Sequence, residues 1–233
     1  ISIDEYEKKL GSNIKELVSR MRRQAYKPKP SKRVYIPKVN GKMRPLGIPA
    51  TEDKIIQLGI KRIMESIYEN DFIEQSYGFR PNRNCHTAIG RLGKIIKKKP
   101  INYIIDADIK GFFDNVNHEW MMKFLMVRIA DKNLLRIIKR FLKAGIIENE
   151  KRMETEKGTP QGGIISPVLA NIYLHYVLDI WFEKVVKKYL KKRHVELIRY
   201  ADDFIIFTKY KGYSKKIMKA LRKRLQKSGL ELA

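Results

Sequence analysis

Two adjacent aspartates, Asp202 and Asp203, stand between two apolar β-prone runs, Val195 to Tyr200 and Phe204 to Thr208. Neighbouring carboxylates repel each other and aspartate is a poor strand former, so the pair predicts a β-hairpin with acid at its turn. Such a placement requires compensation. A hard divalent cation supplies it, and two magnesium ions about 4 Å apart require further carboxylates from another element. The run Ile104-Ile105-Asp106-Ala107-Asp108-Ile109 can provide one. Asp106 and Asp108 share a strand face by their spacing of two, so the pattern alone leaves both open.

The remainder of the chain is cationic. Among 233 residues, 50 Lys and Arg face 25 Asp and Glu, a formal net charge of +25. That balance speaks against a small neutral substrate and for a polyanionic partner. The single cysteine, Cys85, excludes an internal disulfide framework and a cysteine-based zinc site, and a reducing interior, cytoplasmic or organellar, is expected. The longest apolar stretch, Ile164 to Phe182, carries Pro167, Asn171, His175 and Asp179, which predicts a buried core helix and no membrane span. No cationic-then-apolar leader opens the chain, and its first and last residues read as those of a piece of a longer protein.

Along the chain the pattern predicts a helix over Ile3 to Tyr26 and a basic hairpin from Arg33 to Pro37 and Lys42 to Ile48 around Asn40-Gly41. Helices follow over Thr51 to Tyr68, with Thr51 and Asp53 as capping candidates, and over Asn82 to Lys98. Ile101 to Ile109 reads as a strand and Trp120 to Lys143 as helical. A Gly-rich loop, Lys157 to Gly163, leads to a long helix from Ser166 to Leu190, with Ser166 as N-cap and Pro167 in the first helical position. After the acidic hairpin, Ser214 to Ser228 closes as a basic helix ended by Gly229. From Ile101 onward the order follows the β-α-β-β-α-β logic of a ferredoxin-like (RRM-like) α+β sheet.

Several of these segments resemble successive blocks of reverse transcriptases. They are Tyr200 to Asp203, Asp106 to Val116 (Asp-Ala-Asp-Ile-Lys-Gly-Phe-Phe-Asp-Asn-Val), Gly158 to Leu174, Arg44 to Pro49 and Ser76 to His86. The detail is most similar to the proteins encoded by bacterial group II introns. The resemblance covers nearly the whole chain and implies an N-terminal extension and a helical and β-hairpin fingers subdomain over 1–100, with a polymerase palm over 101–233 that includes fingers elements around 131–160. It also implies that thumb, maturase and endonuclease regions lie outside this sequence.

The resemblance implies an RNA-directed DNA polymerase adding deoxynucleotides to a primer 3′-hydroxyl. Asp108, Asp202 and Asp203 match the family's ligands for two Mg2+ ions. Lys38 and Arg44 match its nucleotide-phosphate ligands, on opposite arms of the first hairpin, where a guanidinium gives bidentate contacts. Phe112 resembles the aromatic beneath the sugar that excludes a 2′-hydroxyl, with Phe113 expected to point inward. Gln161, in a loop whose glycines permit close backbone approach, resembles the glutamine beside the incoming nucleotide. Arg80 is a candidate template contact, and Arg20, Arg22 and Arg23 on the first helix would meet template phosphates. Cys85 and the histidines read as structural.

Implied partners are an RNA template such as a group II intron RNA, a DNA or RNA primer and deoxynucleoside triphosphates, without a membrane; a homodimer is compatible with this reading. Two other readings compete. One is an RNA-binding maturase with an idle polymerase site. The other is a different bacterial reverse transcriptase, of retron, diversity-generating or defence-associated type.

Overall fold

The computed structural model describes residues 3–37, 41–159, 161–190 and 195–233. The N-terminal helical pattern forms two helices, α1 (Ile3–Lys8) and α2 (Leu10–Arg22). Strands β1 (Ser31–Pro37) and β2 (Met43–Ile48) then pair antiparallel, with Val34 opposite Leu46 and Pro37 opposite Met43. Helix α3 (Thr51–Tyr68) has the bounds its periodicity predicts, but Ala50 is its N-cap and no side chain caps it. Asp53 instead faces inward, accepting hydrogen bonds from the Tyr26 hydroxyl (2.5 Å) and the Lys29 amide (3.1 Å). It therefore anchors the segment leading into β1. Helix α4 (Cys85–Lys98) is capped by Asn84 and Thr87, which satisfy each other's backbone amides.

A first acidic strand, β3 (Tyr103–Ala107), leads to a single turn, α5 (Phe112–Asn115). The segment expected to be helical from Trp120 to Lys143 is two helices, α6 (His118–Met126) and α7 (Lys132–Leu142). Asp131 starts the second by accepting from the amides of Asn133 and Leu134. Two short strands, β4 (Ile146–Glu148) and β5 (Lys151–Met153), were not legible in the sequence. Their turn residues, Asn149 and Glu150, both take positive φ, the backbone a two-residue hairpin requires. Because β4 pairs parallel with β1, four strands form one sheet in the order β2-β1-β4-β5.

The long apolar helix begins as α8 (Ser166–Leu174), with Ser166 inside its first turn and Ile165 as the N-cap. It continues through two π-helical turns, His175–Asp179 and Phe182–Val186, to α9 (Lys187–Tyr189). Its residues are buried on nearly every side, as expected of a helix that is apolar all round. Among the described residues no helix is long and apolar enough to cross a membrane. Strands β6 (Val195–Tyr200) and β7 (Asp203–Thr208) and helix α10 (Lys211–Lys227) follow. Gly229, with φ +77°, ends α10, the Leu230 amide bonding back to the Leu225 carbonyl.

The second sheet has the order β3-β7-β6, all antiparallel. Beyond β3, Leu232 bridges antiparallel to Ile109, and the Ala233 amide donates to the Asp108 carbonyl. The main core lies between this sheet and α3, α6, α7, α8 and α10, where Met64, Met121, Leu125, Ile138, Ile172 and Leu221 are fully enclosed.

Candidate active site

The two strand pairings bring the acids together. Ala107 lies opposite Phe204, so extending the register by one residue sets Asp108 across from Asp203. Tyr200 lies opposite Asp203, which leaves Ala201 and Asp202 as a two-residue turn, with Ala201 at φ +58°. Asp108, Asp202 and Asp203 line one cavity of about 750 Å³, whose wall does not include Asp106. Burial raises the pKa of Asp202, and the charges of Asp203 and Asp108 raise it further. Asp203 is raised in the same way, first by burial and then by Asp108 and Asp106. These are hard oxygen donors whose negative charges go uncompensated by one another, which is the chemistry a divalent cation fits. Among the described residues, no three acidic, histidine or cysteine side chains are gathered around a common point at ligand distance.

The rest of the lining includes β2 and the Gly-rich loop. Arg44, Pro45 and Leu46 of β2 line the cavity together with Gln161, Gly162 and Gly163. The Gly47 amide donates to the Gln161 carbonyl at 2.5 Å. A Cβ on Gly162, which has φ +103°, would lie 2.7 Å from the Gly47 carbonyl oxygen, so only glycine permits this seam. On the loop's other side, the amides of Gly158 and Thr159 donate to the carbonyls of Val116 and Phe113, each at 2.7 Å. Lys38 lies outside the described residues.

Both phenylalanines line the cavity, Phe112 as the more deeply buried of the two. Residue 112 begins a helical turn after the left-handed Gly111, so strand alternation does not apply to it. Phe112 is 2 % exposed and meets Tyr173 edge-on, with ring centroids 6.3 Å apart. Phe113 is half-buried, with its ring centroid 5.4 Å from that of Phe112. Phe113, expected to point inward, is therefore the more exposed of the pair.

The expected template contact at Arg80 is corrected by its surroundings. Its side chain is 3 % exposed, pairs with Glu69 at 2.6 Å and donates to the carbonyls of Ile73 (2.7 Å) and Ser76 (2.8 Å). The guanidinium also lies 5.3 Å from the Phe72 ring centroid. With its donors occupied inside the protein, Arg80 fixes the Ser76 to Arg83 loop. Arg80→Ala should therefore destabilise the fold by about 2–3 kcal/mol in chemical denaturation, since Glu69 and two carbonyls lose their partner.

Arg20 is likewise held, at 2.6 Å from Glu52 of α3 and 3.5 Å from Glu16. Arg22 and Arg23 are exposed at the end of α2, Arg23 within 3.9 Å of Glu16. Cys85 is a free, exposed thiol. His118 is buried, its Nε2 2.7 Å from the Gly158 carbonyl, and burial lowers its pKa.

Two neighbours of the acids lie within the Ser76 to His86 block, where the sequence does not set them apart as site residues. Phe79, in the left-handed region at φ +59°, is 49 % exposed and lines the cavity. Gly78 passes directly behind the acidic turn, where a Cβ would stand 2.3 Å from the Ala201 nitrogen.

Comparison with known proteins gives a consistent picture. A family model described as reverse transcriptase (RNA-dependent DNA polymerase) matches residues 36–233. The group II intron-encoded protein LtrA of Lactococcus lactis subsp. cremoris is 47 % identical over 165 residues, 70 % of this chain and 27 % of that protein. Protein YkfC of Escherichia coli is 38 % identical over 215 residues, covering 79 % of this chain and 55 % of its own length. The chain thus spans a quarter to about half of these relatives. Among solved structures, telomerase from Candida albicans in complex with a fragment of telomeric RNA has a TM-score of 0.70 at 13 % identity, over 95 % of this chain and 44 % of that one. That likeness is one of fold.

Proposed function

The chain belongs to the reverse transcriptase (RNA-dependent DNA polymerase) family, among the group II intron-encoded reverse transcriptase/maturase proteins, and on that footing we propose that it copies RNA by adding deoxynucleotides to a primer 3′-hydroxyl. The observation that carries the reading is the single cavity where Asp108, Asp202 and Asp203 face Arg44 and Gln161. Acids for holding cations and a guanidinium for holding phosphate line one space large enough for a nucleotide.

In this reading Asp108, Asp202 and Asp203 would hold two Mg2+ ions, which supply a more acidic primer hydroxyl and neutralise the charge developing on the triphosphate. Arg44 contributes bidentate contacts to phosphate oxygens. Gln161 sits in a loop braced from both sides, by Gly47 and by Phe113, so its amide is presented to the nucleotide from a fixed backbone. Phe112, with Phe113 beside it, supplies the flat surface under the sugar. Arg22 and Arg23 reach template phosphates, and Phe79 offers an exposed ring for stacking on a base.

The ferredoxin-like palm is also part of this reading. The β3-β7-β6 order, the flanking α8 and α10, and the Leu232 bridge outside β3 support it. The pairing of β4 with β1 supports grouping residues around 131–160 with the fingers of 1–100.

Phe112→Ala should admit ribonucleotides, read as the ratio of dNTP to rNTP incorporation in single-turnover extension. It should also destabilise the fold by about 3–5 kcal/mol as a core truncation. The proposal as a whole is tested by primer extension on an RNA template with the full chain, with and without magnesium, beside a splicing assay. Magnesium-dependent copying supports it. RNA binding and splicing activity without any extension would favour the maturase reading and overturn the polymerase.

A further inference from the structure

One charged group in the core has no part in the chemistry above. Arg199, on β6, is fully buried in a strand that is otherwise mostly apolar. Its Nε and Nη2 donate to the two carboxylate oxygens of Asp179, at 2.8 and 2.6 Å. Its Nη1 donates to the Asn171 side-chain oxygen and to the Ala201 carbonyl, both at 2.9 Å. The Asn171 amide nitrogen continues the chain to the Gly78 carbonyl at 2.7 Å. Burial alone would raise the Asp179 pKa, but the Arg199 guanidinium and the nearby His175 outweigh it and hold the carboxyl below its usual range.

A buried ion pair is a weak source of stability, because desolvation offsets most of the attraction and a matched apolar pair serves packing about as well. What an apolar pair cannot do is hold a carbonyl. The carbonyl held here belongs to Ala201, a non-glycine residue at φ +58°, a conformation that persists only where its surroundings impose it. That carbonyl lies in the peptide plane joining Ala201 to Asp202. Fixing the plane fixes the direction in which Asp202 leaves the backbone.

The helix is shaped to the same end. In a regular α-helix, eight residues at about 100° each would leave Asp179 about 80° around from Asn171. The π turn at His175–Asp179, closed by the Ile180 amide on the His175 carbonyl, winds through less angle per residue and removes much of that offset. Asn171 and Asp179 thereby meet the same guanidinium.

We propose that Arg199, gripped by Asp179 and Asn171, is a positioning residue that sets the orientation of the Asp202–Asp203 turn through the Ala201 carbonyl. The inference rests on the polymerase reading for its kinetic consequence but not for its structural one. The experiment compares the full chain with Arg199→Lys, whose ammonium cannot span all three acceptors, and with the charge-free double variant Arg199→Met/Asp179→Leu. Folding is followed by circular dichroism, amide hydrogen exchange by mass spectrometry over residues 200–204, and extension by separate kcat and KM for primer–template.

Both variants should fold, exchange the turn amides at least about 10-fold faster, and lose about 10²-fold in kcat with KM within about 2-fold, the scale of a displaced reacting group. A folded variant with the unmodified protein's exchange and kcat overturns the proposal. A double variant unable to fold also overturns it, since the network would then serve folding. If the unmodified chain itself fails to extend a primer, the polymerase reading falls while the exchange measurement still decides the role of Arg199.

Discussion

Asp203→Asn should lower magnesium-dependent primer extension by at least about 10³-fold, the several kcal/mol that a held cation contributes at a phosphoryl-transfer site. In the same protein, with divalent ions chelated, it should raise the midpoint of thermal unfolding. The second effect follows from the sign of the shift. Burial, then Asp108 and Asp106, raise the Asp203 pKa, so the folded state holds this proton more tightly than the unfolded chain does. The associated stability is fully present below the ordinary aspartate range and is lost as pH rises through the raised value. At neutral pH the ionised cluster therefore works against folding, and a neutral amide of the same size relieves it. Unfolding midpoints across pH 4 to 8, beside single-turnover extension rates, test both halves. A variant that is inactive and also less stable would point to a structural role for Asp203.

Gly78→Ala should damage the site through a single added methyl. The added Cβ would stand 2.3 Å from the Ala201 nitrogen and 3.0 Å from both the Ala201 Cα and the Tyr200 carbonyl carbon. All three are backbone atoms, so no side chain can swing aside; either the Ser76 to Arg83 loop or the acidic turn must move. Overpacking of this kind costs about 1–3 kcal/mol, and displacement of the turn should cost about 10²-fold in extension rate. Gly59→Ala is the matched control: it lies in α3 with open space around its Cβ position, and should be neutral or stabilise by up to about 1 kcal/mol. Equal activity of the two variants would remove the contact between Gly78 and the turn from the account of the site.

How far the site could be read from the sequence depended on the range of the interactions involved. The acidic hairpin was legible because its signal is local, two acids bounded by β-prone runs. α3 was legible because eighteen residues of periodic pattern outweigh any one exception. The interior role of Arg80 is not legible because clustered arginines suggest phosphate, whereas its partner Glu69 lies eleven positions upstream, at the C-terminal end of α3. The greater exposure of Phe113 is not legible by strand alternation, because residues 112–115 form a helical turn behind Gly111. β4 and β5 escaped notice because three-residue strands carry almost no pattern and take their stability from β1, more than a hundred residues earlier. Arg199 did carry a signal, a lone cation within an apolar strand, but its partners Asp179 and Asn171 depend on a helical irregularity that no periodicity announces.

That irregularity also fixes the length of the chain at this point. Removing one residue between His175 and Asp179 would restore regular winding, carry the carboxylate away from β6 and rotate everything as far as Tyr189 with it. Lengthening the helix there would do the same in the opposite sense. The stretch from Asn171 to Asp179 thus tolerates changes of side chain at some positions but not a change in residue number, and a gap aligned there between two relatives would mark proteins that grip the turn differently.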